Sequence, residues 1–124
     1  MSDVLHTAVR VTDLDAMCGF YEGTLGLDDA RQFEANGATN YFVSGDGDAE
    51  IQFKYDPEET EPVEPAGIEH LAVEVADVDG MVDACVEEWD SEIEREAETF
   101  EELGLRAAFV TDPEGYVVEL IEAL

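Results

Sequence analysis

HTAVRVTDLDAM (residues 6–17) returns as HLAVEVADVDGM (residues 70–81), and each copy opens on one of the chain's two histidines. At an offset of 64 the phrases share His6/His70, Ala8/Ala72, Val9/Val73, Val11/Val75, Asp13/Asp77, Asp15/Asp79 and Met17/Met81, seven identities in twelve positions. A repeat of this kind fixes architecture ahead of local detail, because each copy is one supersecondary unit. Residues 4–11 and 68–75 are β-rich and alternate. Thr7, Val9 and Val11 therefore share one strand face, with His6, Ala8 and Arg10 on the other; Leu71, Val73 and Val75 likewise oppose His70, Ala72 and Glu74. Asp13 and Asp77 then stand where a helix wants its N-cap. Leu14, Met17, Tyr21 and Leu25 follow at helical spacing in one copy, and Val78, Met81, Val82, Cys85 and Trp89 in the other. A helix with one apolar stripe covers the apolar face of its strand, which leaves the histidine face for something else.

Each copy closes in strands. Thr39 to Ser44 and Ala49 to Tyr55 flank GDGD, a hairpin turn, while Arg106 to Thr111 and Tyr116 to Ile121 flank Asp112-Pro113-Glu114-Gly115, a type I turn with Pro in its second position. Between the copies lies DPEETEPVEPA (56–66), with three of the four prolines. The expected fold is α+β: one domain over 1–124 built from two βαβββ pseudo-repeats, 1–56 and 67–124, joined by a linker at 57–66, with curved mixed sheets whose uncovered faces form a cleft. The acidic segment EIEREAETFEE (92–102) reads as hydrated surface or a loop beside the site.

Polar residues interrupt the closing strands. Glu119 stands among Val117, Val118, Leu120 and Ile121, and Gln52 between Ile51 and Phe53. An ionised carboxylate in an apolar strand costs several kcal/mol unless paired or bound to metal. With only Arg10, Arg31, Lys54, Arg95 and Arg106 to pair with, a divalent cation is the economical partner. Two imidazoles, a carboxylate and an amide oxygen make an N₂O₂ donor set suited to Zn²⁺, Ni²⁺, Co²⁺, Mn²⁺ or Fe²⁺. Glu50, two residues from Gln52 on the same strand face, is a rival for the fourth place.

Thirty-three acidic residues against five basic ones give a formal net charge of -28. Such a chain repels phosphate backbones and anionic membranes, so neither nucleic acid nor a membrane surface is an expected partner. The opening MSDVLH lacks the basic and apolar parts of a signal peptide, which points to the cytoplasm. Cys18 and Cys85 read as reduced core thiols. Self-repulsion of this size is tolerable where salt screens it, as in the cytoplasm of an extreme halophile.

LHTAVRVTDLDAMCGFYEGTLGL (5–27), GIEHLAVEV (67–75) and AFVTDPEGYVVELIE (108–122) together resemble the vicinal-oxygen-chelate superfamily (glyoxalase/bleomycin-resistance/dioxygenase-like), and within it the glyoxalase I, or lactoylglutathione lyase, family. The resemblance implies one divalent metal ion held by His6, Gln52, His70 and Glu119, a homodimer with sites at the subunit interface, and Arg10 as a contact for the carboxylate of a γ-glutamyl thiol. It further implies a small-molecule substrate, the hemithioacetal of methylglyoxal and a thiol, with Glu119 as catalytic base for proton transfer through an enediolate to a lactoyl thioester. Many bacterial members carry glutamate where Gln52 stands. The same ligand set also resembles methylmalonyl-CoA epimerases, whose substrates are acyl thioesters, and a metal-free, drug-sequestering binding module is a third possibility. The charge balance makes its own prediction: the midpoint of thermal unfolding should rise between 0.1 M and molar KCl, and a midpoint that fell with added KCl would refute the halophilic reading.

Overall fold

Val9 and Val11 are buried while His6, Thr7 and Ala8 are exposed, so the opening strand hides the apolar face at its far end and bares the histidine face at its start. The computed structural model describes residues 2–124 and divides into two compact units, Met1–Val63 and Glu64–Leu124. The first unit runs β1 (His6–Val11), α1 (Leu14–Cys18), a π-helical turn (Gly19–Thr24), β2 (Asp28–Ala35), β3 (Ala38–Ser44) and β4 (Glu50–Tyr55). The second runs β5 (Leu71–Glu74), α2 (Val78–Trp89), β6 (Ile93–Phe100), β7 (Leu105–Thr111) and β8 (Val117–Ala123). Each is a βαβββ module with a four-stranded mixed sheet, ordered β1-β4-β3-β2 and β5-β8-β7-β6. The opening strand pairs parallel with the last, and the remaining pairings are antiparallel. Among the described residues no helix is long and apolar enough to cross a membrane.

The helices begin where the aspartates allow. Asp13 Oδ1 accepts from the Ala16 amide at 3.0 Å, and Asp77 Oδ1 from the Gly80 amide at 3.2 Å, each satisfying an orphan donor of the first turn. In the second unit Glu122 adds to this: its Oε1 accepts from the Val78 amide at 2.9 Å and so ties the start of α2 to β8. The first helix does not stay α-helical through its apolar stripe. After Cys18 it widens into the π-helical turn, with the Leu25 amide reaching the Phe20 carbonyl at 2.9 Å. That turn buries Phe20 and Tyr21 against the odd-numbered face of the sheet, where Tyr21 lies 5.3 Å from Phe53. In the second unit Val78, Val82 and Cys85 cover Leu71, Val73, Ala108, Val110, Val118 and Leu120. Fully burying a side chain of this size contributes roughly 1.5–3 kcal/mol.

Both hairpins form. Asp112 organises the second, its carbonyl accepting from the Gly115 amide at 3.0 Å while Oδ1 takes the amides of Glu114 and Tyr116; Gly115 has φ +92°. The two thiols are free, and burial pushes each up to about 11, with Glu22 adding to the effect at Cys18. Neither is a thiolate at neutral pH.

Three differences from the sequence reading matter most. Residues 92–102 do not form a loop: Ile93–Phe100 is β6, the outer strand of its sheet, and only its hydrated character matches the expectation. The strand shows no alternation of burial: Ile93 to Glu96 are all exposed, and only Ala97 and Phe100 are half-buried. Strand β1 starts at His6 rather than residue 4. Strand β5 starts at Leu71 rather than 68, which leaves His70 just ahead of it. The N-cap carries a testable consequence: Asp77→Ala should destabilise the protein by about 1 kcal/mol. Asp79→Ala, which removes only a solvent-exposed bidentate pair with Arg106, should shift a denaturation midpoint markedly less.

Candidate metal centre

Even-numbered residues of β1 and β4 form the face left open by the first helix. Register pairs His6 with Glu50, Ala8 with Gln52 and Arg10 with Lys54, and β3 places Phe42 on the other side of Gln52. The His6 ring meets the Phe42 ring edge-on, at 5.3 Å between centroids and 86°. Phe42 is buried, and the Arg31 guanidinium lies 4.1 Å from its ring centroid. The same guanidinium donates to Glu50 Oε1 at 3.1 Å, so Glu50 has a cationic partner within its own sheet. Gln52 is buried, and its Nε2 donates to Asn40 Oδ1 at 2.7 Å. Its Oε1 takes no hydrogen bond among the described residues.

The second unit repeats the arrangement. His70 immediately precedes β5, and register pairs Ala72 with Glu119 and Glu119 with Phe109. His70 meets Phe109 edge-on at 5.3 Å and 83°, nearly superposing on the geometry of His6 and Phe42. His70 Nε2 lies 3.2 Å from Glu119 Oε1, and Nδ1 faces Glu69 Oε1 at 3.5 Å. The Glu119 side chain keeps 19% of its surface exposed, enough for a small molecule to reach the carboxylate.

Of the expected site residues, His70 and Glu119 thus touch, and His6 and Gln52 flank one phenylalanine. Among the described residues neither unit by itself gathers three His, Cys, Asp or Glu donors; each contributes one imidazole and one oxygen-bearing side chain. Arg10 turns toward the linker, where Nη2 donates to the Glu61 carbonyl at 3.1 Å and Nη1 lies 3.6 Å from Glu59. Sequence reasoning missed Phe42, Phe109 and Asn40. The two phenylalanines carried a signal: the offset of 67 that aligns Gln52 with Glu119 also aligns Phe42 with Phe109. Asn40 carried none, since its role is visible only once β3 and β4 are paired.

Known proteins share this design. The model of the Glyoxalase/Bleomycin resistance protein/Dioxygenase superfamily matches residues 3–120. A probable lactoylglutathione lyase from Vibrio parahaemolyticus is 34% identical, over 96% of this chain and 89% of that protein. The lactoylglutathione lyase of Haemophilus influenzae is 32% identical, over 96% and 91%. Among solved structures, the trypanothione-dependent glyoxalase I of Leishmania major superposes with a TM-score of 0.81 at 30% identity, covering 98% of this chain and 87% of that one. The repeated βαβββ modules, the family match over nearly the whole length and relatives above 30% identity lead to one conclusion: the chain belongs to the Glyoxalase/Bleomycin resistance protein/Dioxygenase superfamily.

Proposed function

We propose that the protein is a metal-dependent lyase of the glyoxalase I type, which converts the hemithioacetal of methylglyoxal and a small thiol into a lactoyl thioester. One observation carries the reading. Both units present an imidazole edge-on to a phenylalanine whose cross-strand neighbour bears the oxygen donor, Gln52 in one and Glu119 in the other. The relatives named lactoylglutathione lyases support it at 30–34% identity over nearly the whole chain.

The donor set fits a divalent cation. His6 and His70 supply nitrogen, Glu119 a carboxylate oxygen, and Gln52 an amide oxygen that no protein donor occupies among the described residues. Glu50 is the weaker candidate because Arg31 already holds it. When bound, the cation supplies Lewis-acid chemistry, drawing off negative charge that develops on the substrate oxygens. The protein's own residues handle the proton. A His70 tautomer with its proton on Nδ1, toward Glu69, leaves Nε2 as a lone-pair donor. Glu119 then takes the C1 proton and returns it to C2, so the aldehyde carbon is oxidised, the ketone carbon is reduced and no outside oxidant is needed. Phe42 and Phe109 exclude water from one side of each imidazole and fix its plane.

The thiol is not settled by kinship, since the relatives include lactoylglutathione lyases and a trypanothione-dependent enzyme. A γ-glutamyl thiol such as γ-glutamylcysteine would ask of this chain only a cation at Arg10, held by the linker on the same sheet face as Gln52. With two donors on each unit, a homodimer would give every chain the means to complete sites with its partner.

The test is turnover in molar KCl of methylglyoxal hemithioacetals of glutathione and of γ-glutamylcysteine, after loading with each of Zn²⁺, Ni²⁺, Co²⁺, Mn²⁺ and Fe²⁺. At least one combination should be active and should lose activity on chelation. Glu119→Gln should lower kcat by 10²–10⁴-fold, the usual worth of a positioned base, while metal remains bound. Full activity of that variant, or of the chelated protein, would discard the mechanism.

A further inference from the structure

Asn40 is not a donor to any cation, yet its hydrogen bonds decide what Gln52 can do. Asn40 is 4% exposed and sits on β3, one place along from Phe42 on the same face. Its Nδ2 donates to two backbone carbonyls, those of Phe33 at 3.4 Å and Ala38 at 3.3 Å. Both bonds are long and individually weak, but a carbonyl can only accept. The reverse orientation would set the Asn40 oxygen against two carbonyl oxygens in a buried site, so the amide is locked with Nδ2 toward the backbone. Oδ1 is thereby committed to face β4, where it meets Gln52 at 2.7 Å. An oxygen there accepts only, so Gln52 must offer its NH₂ group, and its own Oε1 is turned away from Asn40. A carboxylate in place of the Gln52 amide would face Asn40 Oδ1 with no proton between them.

We propose that Asn40 is a positioning residue for the metal centre: it selects an amide over a carboxylate at position 52 and aims the Gln52 oxygen at the cation. The inference rests on the reading of Gln52 as a ligand. It deepens that reading by explaining why this chain carries an amide where many bacterial relatives of its resemblance carry a carboxylate. Without Asn40 the Gln52 amide could present either end to a ligand, since its nitrogen and oxygen ends are nearly the same size.

The test measures Zn²⁺ affinity by competition with a chromophoric chelator, in molar KCl, on the full-length protein. Four forms are compared: unaltered, Gln52→Ala, Asn40→Leu and the double variant, each with a thermal melt of the metal-free sample. Asn40→Leu should weaken Zn²⁺ binding 10–100-fold, the usual effect of losing a group that orients a ligand. The double variant should bind no more weakly than Gln52→Ala, because Asn40 acts through Gln52. If Gln52→Ala binds Zn²⁺ as the unaltered protein does, the ligand reading itself fails and takes this inference with it. If Gln52→Ala loses affinity while folded Asn40→Leu does not, or if the two losses simply add, only the role of Asn40 is overturned. Should Asn40→Leu not fold, ¹⁵N side-chain resonances of the unaltered protein decide. The Gln52 NH₂ group, identified by its absence in Gln52→Ala, should exchange slowly with solvent both before and after Zn²⁺ is added. Exchange at the rate of an exposed glutamine would overturn the proposal.

Discussion

A polar side chain in the middle of an apolar closing strand costs free energy unless something takes up its hydrogen-bonding capacity, and this chain accepts that cost twice, at Gln52 and Glu119. Everything local to the candidate site can be read as the settlement of that cost. Each polar group lies between an alanine of the opening strand and a phenylalanine of the middle strand: Ala8 and Phe42 around Gln52, Ala72 and Phe109 around Glu119. The alanines leave room above the sheet, the phenylalanines wall one side, and the histidines lie edge-on against those walls. Space bounded by an imidazole, an aromatic ring and an oxygen donor has no apolar use.

The repeat, the βαβββ order, both N-caps and both hairpins were legible in the sequence, because each depends on residues close together in the chain. Asp13 and Asp77 act on amides three residues ahead, and Asp112 on amides within four. What was not legible depends on pairing at a distance. Strands β2 and β6 are exposed along most of their length, so neither shows the alternation that reveals a strand half-buried against a core. The π-helical turn keeps an apolar stripe that fits an ordinary helix, so its widening around the buried Phe20 and Tyr21 leaves no mark in the pattern. Of the site, the imidazoles and oxygen donors could be named from the repeat and the resemblance. The groups that contact them, Phe42, Phe109 and Asn40, lie on β3 and β7 and acquire meaning only through cross-strand register.

The scarcity of positive charge sharpens the role of the few cations present. In a chain of net charge -28, three of the five basic residues, Arg10, Arg31 and Lys54, belong to the first unit's sheet. Arg31 covers Phe42 and neutralises Glu50, the carboxylate register-paired with His6. One side chain thus serves both the packing of the aromatic wall and the charge of its neighbouring carboxylate. The remaining acids mostly coat the surface, where screening rather than pairing limits their repulsion.

Duplication alone would have produced two equal halves; at the candidate site they differ in how the polar group of the closing strand is held. The first half closes with an amide held by Asn40; the second closes with a carboxylate 3.2 Å from its own histidine. Residue 107, which lies opposite Ile121 as Asn40 lies opposite Lys54, is an alanine and offers no hydrogen bond. Glu119 is thus left without the amide partner that Gln52 has, and its neighbour is the Nε2 of His70. The two halves differ in that respect: the Gln52 amide is held by a side chain of its own sheet, while the Glu119 carboxylate is left to His70.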